Sequence, residues 1–319
     1  MSNFALIGAA GFIAPRHMAA IQATGNQLVA ALDPSDSVGV IDSYFPGSAF
    51  FTEFERFDRH LDKLQRGAAD ERVDYVSICS PNYLHDAHIR FALRSGSDAI
   101  CEKPLVLNPW NIDGLVEAEA RTGRKVSTIL QLRLHPDIVA LRDRIAAEPA
   151  DAPKHEVDLT YITGRGRWYL HSWKGDVKKS GGIATNIGIH FFDMLHFLFG
   201  PLQESRVRLS EPTRATGYLE YEKARVRWFL SVEIGDIPEP QRSAGQRTYR
   251  SIRLDGDEIE FSGGFADLHT RSYEEILAGR SFGLEDSRQA VETAAGIRNS
   301  VPHPSPAADD HPLLNVVRQ

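Results

Sequence analysis

Short apolar runs, each broken by a turn and followed by a helix-compatible stretch, recur through residues 1–129 and leave few folds open. Phe4-Ala5-Leu6-Ile7 breaks into Gly8-Ala9-Ala10-Gly11-Phe12-Ile13-Ala14, with a helix predicted from Pro15 to about Thr24. Gln27 to Leu32 is a second run, ending at Asp33. Tyr75 to Cys79 leads through Ser80-Pro81-Asn82 into a helix from about His85 to Ser95. Ala99-Ile100-Cys101 leads through Glu102-Lys103-Pro104 into a helix from about Pro109 to Thr122, with Ile112, Leu115 and Val116 on one face and Gly123 as its stop. Lys125 to Ile129 is the closing strand. Continuous apolar strands alternating with helices make a parallel sheet covered on both faces. The expected fold class is α/β: a Rossmann domain over residues 1–129, then an α+β domain over 130–319 with an open, mostly antiparallel sheet.

Strand, glycine turn and helix is the order a dinucleotide site requires. Gly8 permits the tight turn, Gly11 lets backbone approach a pyrophosphate, and small Ala14 allows close helix packing, with Phe12 and Ile13 completing the loop. GxxGxxA is not GxGxxG, and these residues alone serve equally as a plain turn. Asp33 stands where a ribose-binding carboxylate is expected, and Pro34, Ser35 and Asp36 include no arginine for a 2′-phosphate, which favours NAD over NADP. Ser80, Asn82 and His85 are candidates for a further wall of the cofactor cleft.

Pro104 restricts the backbone before it, so Lys103 projects from a defined turn beyond a strand end, where ligands of open α/β sheets bind. His85 and His88 stand at i, i+3, but no third ligand sits at a motif spacing and no metal is expected. Lys+Arg of 36 against Asp+Glu of 43 gives −7, dispersed along the chain, which advertises neither a nucleic-acid nor a membrane surface. Cys79 and Cys101 lie in apolar runs and read as buried thiols. With no basic leader before Phe4, a cytoplasmic protein is expected.

The second half opens with a helix from Pro136 to about Ala147 and a strand from Glu156 to Thr163. Residues Gly164 to Gly175 then mix cations and aromatics in one loop, suited to a diphosphate or carboxylate but equally a solvated basic loop. In the following helix Asn186, His190 and Asp193 fall at i, i+4 and i+7 on one face, opposite Ile187, Phe191, Met194, Leu195 and Leu198. Val207 to Phe261 reads as antiparallel strands, with Asp255-Gly256-Asp257 turning a hairpin between Ile252–Leu254 and Glu258–Phe261. Helical stretches at Ser272–Leu277 and Ser287–Arg298 precede a tail with Pro302, Pro304, Pro306 and Pro312.

The Glu102-Lys103-Pro104 turn and the run Gly181-Gly182-Ile183-Ala184-Thr185-Asn186-Ile187-Gly188-Ile189-His190 together resemble the two signatures of the Gfo/Idh/MocA family of nicotinamide-dependent oxidoreductases. The resemblance covers nearly the whole chain and implies NAD as cofactor, with Lys103 beside nicotinamide and substrate hydroxyl. Three residues depart from the pattern: the glycine turn is GxxGxxA, Ile183 replaces a glycine, and Asn186 replaces an aspartate. An amide takes no proton, so acid–base work falls to Lys103 and His190, and Asn186 suits a substrate hydroxyl or amide oxygen.

Within the family, Gly8 to His17, Gln131 to Pro136, Gly164 to Gly175, Asn186 to Asp193 and His311 to Leu314 are similar to bacterial UDP-N-acetylglucosaminuronate 3-dehydrogenases of O-antigen synthesis. That resemblance implies a UDP-linked acetamido uronic acid substrate, a pathway aminotransferase as partner and a homo-oligomer, dimer or tetramer. Cofactor contacts are then expected from Gly8, Gly11, Phe12, Ile13, Asp33, Ser80, Asn82, His85, Glu102 and Lys103. Substrate contacts are expected from Lys103, Arg133, Thr163, Arg165, Tyr169, Trp173, Asn186 and His190. Trp228, Phe229 and Leu230 are candidates for a subunit contact, with the proline-rich tail laid on a neighbour. A dehydrogenase of a free polyol such as inositol, or a catalytically silent dinucleotide-binding regulator, are the other readings.

Overall fold

The computed structural model describes residues 1–259, 267–303 and 309–317, and the chain divides into two compact units. The first comprises Met1–Leu134 together with Ala266–Arg288, the second His135–Phe265 with Gln289–Gln319. The division differs from the expected partition at 129/130 in two ways: the first unit runs on to Leu134, and residues 266–288 return to it.

The first unit is a six-stranded sheet in the order β3-β2-β1-β4-β5-β6, parallel throughout. The strands are β1 Asn3–Ile7, β2 Gln27–Leu32, β3 Ala49–Phe51, β4 Tyr75–Ile78, β5 Asp98–Cys101 and β6 Val126–Thr128. Its helices are α1 Ala14–Ala23, α2 Phe54–Arg66, α3 His85–Arg94 and α4 Pro109–Thr122. Gly123 ends α4 in the left-handed conformation (φ +69°), as its position after the last periodic residue predicts. β3 and α2 were not expected. In α2, Phe57 and Leu61 are buried while its acidic and basic residues face water. The strand order places the β1/β4 switch at the centre, where ligands of doubly wound folds bind outside the carboxyl ends. The returning helix, Leu268–Leu277, buries Tyr273 and Ile276 against Phe4, Ala14, Met18 and Ile21.

The second unit holds another six-stranded sheet, in the order β12-β11-β7-β10-β9-β8. These are β7 His155–Thr163, β8 Leu202–Ser210, β9 Arg214–Tyr221, β10 Ala224–Ser231, β11 Thr248–Leu254 and β12 Asp257–Glu258. The β7/β10 pair is parallel and every other pair antiparallel. The hairpin turn is the two residues Asp255 (φ +54°) and Gly256 (φ +94°), so Asp257 belongs to β12 rather than to the turn. Residues 260 and 261 of the expected strand lie outside the described residues.

Helix α5 spans Pro136–Ala146, short α6 Trp168–His171, α7 Val177–Ser180 and α8 Ile189–Phe199. Trp228 and Leu230 are buried toward α8: the Trp228 ring meets Phe192 edge-on at 5.6 Å, and Leu230 fills the space a side chain on Gly188 would need. Phe229 is buried with Ile162, Ile237, Tyr249 and Leu313, and His311 stacks on it at 5.6 Å. All three aromatic-run residues are thus fully covered within one chain, which corrects their expected role in a subunit contact. The tail is also corrected where described: Pro312–Val317 is helical, and His311 and Leu313 seat on the chain's own sheet rather than on a neighbour. Among the described residues no helix is long and apolar enough to cross a membrane.

Candidate functional site

In the first unit the chain leaves β1 through a glycine turn that backbone hydrogen bonds close tightly. Gly8 and Ala9 N–H both donate to Leu32 O (2.8 and 3.2 Å), and Gly11 N–H donates to Gly8 O (3.0 Å). A Cβ on Gly8 would stand 2.6 Å from the Cys79 carbonyl, at a φ of +93° that side chains avoid. A Cβ on Gly11 would stand 3.0 Å from Gly8 O. Helix α1 begins without a side-chain cap, its Ala14 and Arg16 N–H groups donating to Gly11 O and Ile13 O while Pro15 has none to give. A turn this tight, with no side chain at Gly8 or Gly11, lets a pyrophosphate approach the backbone at the helix start. Phe12 is 91% exposed at the tip, while Ile13 is half-buried and packs on the core.

Asp33 directly follows β2, its carboxylate accepting from Ala10 N–H (2.9 Å) and Ser35 N–H (2.8 Å). Those bonds hold the anion beside the glycine turn, with lone pairs left for ribose hydroxyls. Three of the residues expected at the cofactor have partners within the unit. Ser80 Oγ bonds His88 Nδ1 (2.8 Å), and both His85 nitrogens face backbone carbonyls, Pro104 O at 2.7 Å and Ser80 O at 2.9 Å. His85 therefore ties the end of β4 to the turn after β5. Glu102 is buried, and its carboxylate Oε1 meets His17 Nε2 and His269 Nε2, both at 3.0 Å. Asn82 is buried at the start of a single 3-10 turn, Asn82–Leu84.

Lys103 follows at the carboxyl edge of β5, half-buried, with its N–H 3.3 Å from Glu102 Oε2 and a cis bond to Pro104. Burial alone would raise the Glu102 pKa, but the hydrogen bonds from His17 and His269 hold it well below the usual carboxylate range. Burial pushes the His17 pKa down against the opposing pull of Glu102, which favours the neutral ring. Burial, with the His85 charge, pushes His88 down to about 4. His85 and His88 do not converge on one point, whereas the donor atoms of His17, Glu102 and His269 lie within 4.8 Å of one another. The Arg133 guanidinium bonds Asp286 O (2.7 Å) and Asp286 Oδ1 (3.4 Å) and covers the Phe282 ring.

In the second unit Thr163 is the buried last residue of β7, and Arg165 is exposed just beyond it. Tyr169, on α6, is 3% exposed, its hydroxyl accepting from Asn186 Nδ2 at 2.7 Å. Burial raises the Tyr169 pKa, keeping the phenol protonated. Lys174 Nζ sits 4.1 Å over the Trp173 ring, so the expected aromatic–cation loop is internally paired.

Gly181 and Gly182 have φ of +80° and +78°, and a Cβ on Gly181 would strike Thr185 at 2.6 Å. Ile183, by contrast, sits in ordinary helical geometry, so the missing third glycine leaves the turn intact. Residues Ala184–Gly188 form a π-helical turn before α8, a wider step than the regular helix assumed from the sequence. Asn186 and His190 are half-buried, whereas Asp193 is 2% exposed, so the expected three-residue stripe is reduced to two residues at the surface.

The sequence reading missed His17, His269, Tyr273 and Ser77. His17 and His269 reach Glu102 from 85 and 167 positions away, Tyr273 and Ser77 continue the network from His17 Nδ1, and only the buried spacing of His17 on α1 hinted at one of them.

Comparison with known proteins agrees with this geometry. Residues 2–130 match the Gfo/Idh/MocA oxidoreductase family model, described as an NAD-binding Rossmann fold, and residues 154–241 match its C-terminal alpha/beta domain. A WlbA (WbpB) dehydrogenase from Thermus thermophilus, solved with NAD and UDP-GlcNAcA, is 53% identical with a TM-score of 0.93, covering 98% of this chain and 99% of that one. The same enzyme with NAD and alpha-ketoglutarate is 54% identical at the same TM-score and coverage. Curated relatives match less of their length. A 1,5-anhydro-D-fructose reductase of Ensifer adhaerens is 26% identical over 66% of this chain and 60% of its own. An inositol 2-dehydrogenase of Rhizobium meliloti is 32% identical over 44% and 40%.

Proposed function

This chain belongs to the Gfo/Idh/MocA oxidoreductase family, and from that premise we propose that it oxidises the C3 hydroxyl of UDP-N-acetylglucosaminuronic acid to a ketone with NAD. The observation that carries the substrate is the end-to-end similarity to the Thermus dehydrogenase held with that sugar nucleotide. NAD, when bound, supplies the hydride acceptor. The glycine turn and the start of α1 would hold its pyrophosphate, and the Asp33 carboxylate its ribose.

His190 takes the hydroxyl proton as general base, and the Lys103 ammonium donates a hydrogen bond to the developing alkoxide. Asn186 cannot share the proton, and its amide, oriented by the bond to Tyr169, holds a sugar oxygen. The hydroxyl proton passes to His190 as the C3–O bond becomes a carbonyl, the C3 hydride going to the acceptor that bound NAD would supply. A 3-keto product is the substrate form an aminotransferase consumes, so a pathway aminotransferase and a homo-oligomeric enzyme belong to this reading.

A second reading, oxidation of a free polyol, rests on the match to an inositol dehydrogenase. Mass spectrometry after incubation with NAD and the uronate, UDP-N-acetylglucosamine or inositol separates them. Loss of two hydrogens from the uronate alone is expected. Loss only from inositol would replace the substrate, and no change in any sugar with NAD bound would favour the silent regulator.

A further inference from the structure

Directly beneath the lysine turn lies a carboxylate that no solvent reaches well. Glu102 is 5% exposed, and His17 and His269 are 0% and 3% exposed. A carboxylate only accepts, so each Nε2 at 3.0 Å from Oε1 carries a hydrogen and donates it. In a neutral ring His17 Nδ1 is then an acceptor, and the Tyr273 hydroxyl, 2.8 Å away, must donate to it. Ser77 Oγ, 2.6 Å from that hydroxyl, donates in turn. Every proton from Ser77 to Glu102 has one place, and all the dipoles point toward the anion. The other oxygen, Oε2, receives the Lys103 N–H.

We propose that His17 and His269 are positioning residues for the oxidation: they hold an ionised Glu102 against the Lys103 backbone and so fix where the Lys103 side chain leaves the turn. Neither touches substrate. Two donors on one oxygen stop the carboxylate from rotating, and a fixed carboxylate pins the amide that starts the Lys103 side chain. A metal would use the same three donor atoms, but the closed proton chain accounts for each of them without one.

This inference rests on the reading that Lys103 meets the reacting hydroxyl. The test compares His269→Leu, which removes the donor, with His269→Gln, which keeps an N–H near the same place, both in the full chain. We expect His269→Leu to lower kcat about 10²-fold with KM nearly unchanged, and His269→Gln to restore most of it. Tyr273→Phe removes only the oxygen that orients His17 and should cost about tenfold in kcat, which keeps the test open if His269→Leu does not fold.

Wild-type kcat in His269→Leu, or a His269→Gln variant as slow as the leucine one, would overturn the proposal. So would a stoichiometric divalent metal in the purified protein. Nitrogen-15 NMR of the histidines needs no substrate: His17 and His269 should both show the Nε2–H form, and an Nδ1–H form at His17 would refute the network. If no sugar turns over but the Nε2–H signals are present, the functional reading fails and the network stands.

Discussion

Acidification should loosen the C-terminal helix before it melts the sheet beneath it. His311 sits at the foot of that helix, 2% exposed, with Nε2 3.0 Å from Thr160 Oγ1 and Nδ1 accepting the Leu313 N–H at 3.2 Å. The second bond needs a bare Nδ1, so the ring is neutral and a proton there would meet another N–H. Burial, and then the Arg227 charge, pushes the His311 pKa from 6.5 down to about 3. An unfolded chain takes up that proton near 6.5 and the folded one near 3, so this stabilisation is complete above 6.5 and is lost as pH falls toward 3.

At about 1.4 kcal/mol per pH unit, the cost is about 2 kcal/mol at pH near 5 and at most about 5 kcal/mol at the bottom of the window. Local detachment of the helix caps the cost below that maximum. Amide exchange of the segment 309–317, corrected for intrinsic rates, should rise between pH near 7 and pH near 5 by about 30-fold relative to β7 in the wild type, but not in His311→Gln. Equal pH slopes in the two proteins would refute the argument, because the other buried histidines are common to both.

Gly8→Ala should lower stability by about 2 kcal/mol or more in urea unfolding, and weaken NAD binding, because its Cβ would stand 2.6 Å from the Cys79 carbonyl at positive φ. Lys103→Ala should cut kcat about 10²- to 10³-fold with NAD affinity unchanged by calorimetry, and normal turnover would remove Lys103 from the mechanism. His155 is opposed by burial, yet hydrogen bonds to Asp255 (2.7 Å) and Glu148 (2.9 Å) raise its pKa. Its contribution is full below the unfolded value and lost as pH rises through the raised folded one, so His155→Gln should flatten the stability decline above neutrality in urea titrations.

The first unit was legible because its strands are continuous apolar runs and its turns carry glycine and proline where backbone geometry demands them. What escaped there was short or highly charged. β3 has three half-buried residues, and α2 announces itself only through the Phe57–Leu61 spacing inside a charged stretch. Lys103, the glycine turn and the Gly181-Gly182 turn were readable because each depends on neighbours in sequence. The placement of Glu102 was not, since its partners lie 85 and 167 positions away. The Trp228-Phe229-Leu230 run misled for a different reason. On a central strand both faces are covered, and an apolar residue buried by its own chain reads in sequence like one awaiting another subunit.

The return of residues 266–288 to the first unit bears on how the chain is made. All six strands of that unit leave the ribosome by residue 128, yet His269 and Tyr273 emerge only after the whole second sheet. A nascent chain, or a fragment cut after β6, would hold Glu102 with one of its two histidine donors and an open seam along α1. The first unit is therefore begun early and finished late, and a stop codon before about residue 277 would leave Phe4, Ala14, Met18 and Ile21 without the helix that covers them.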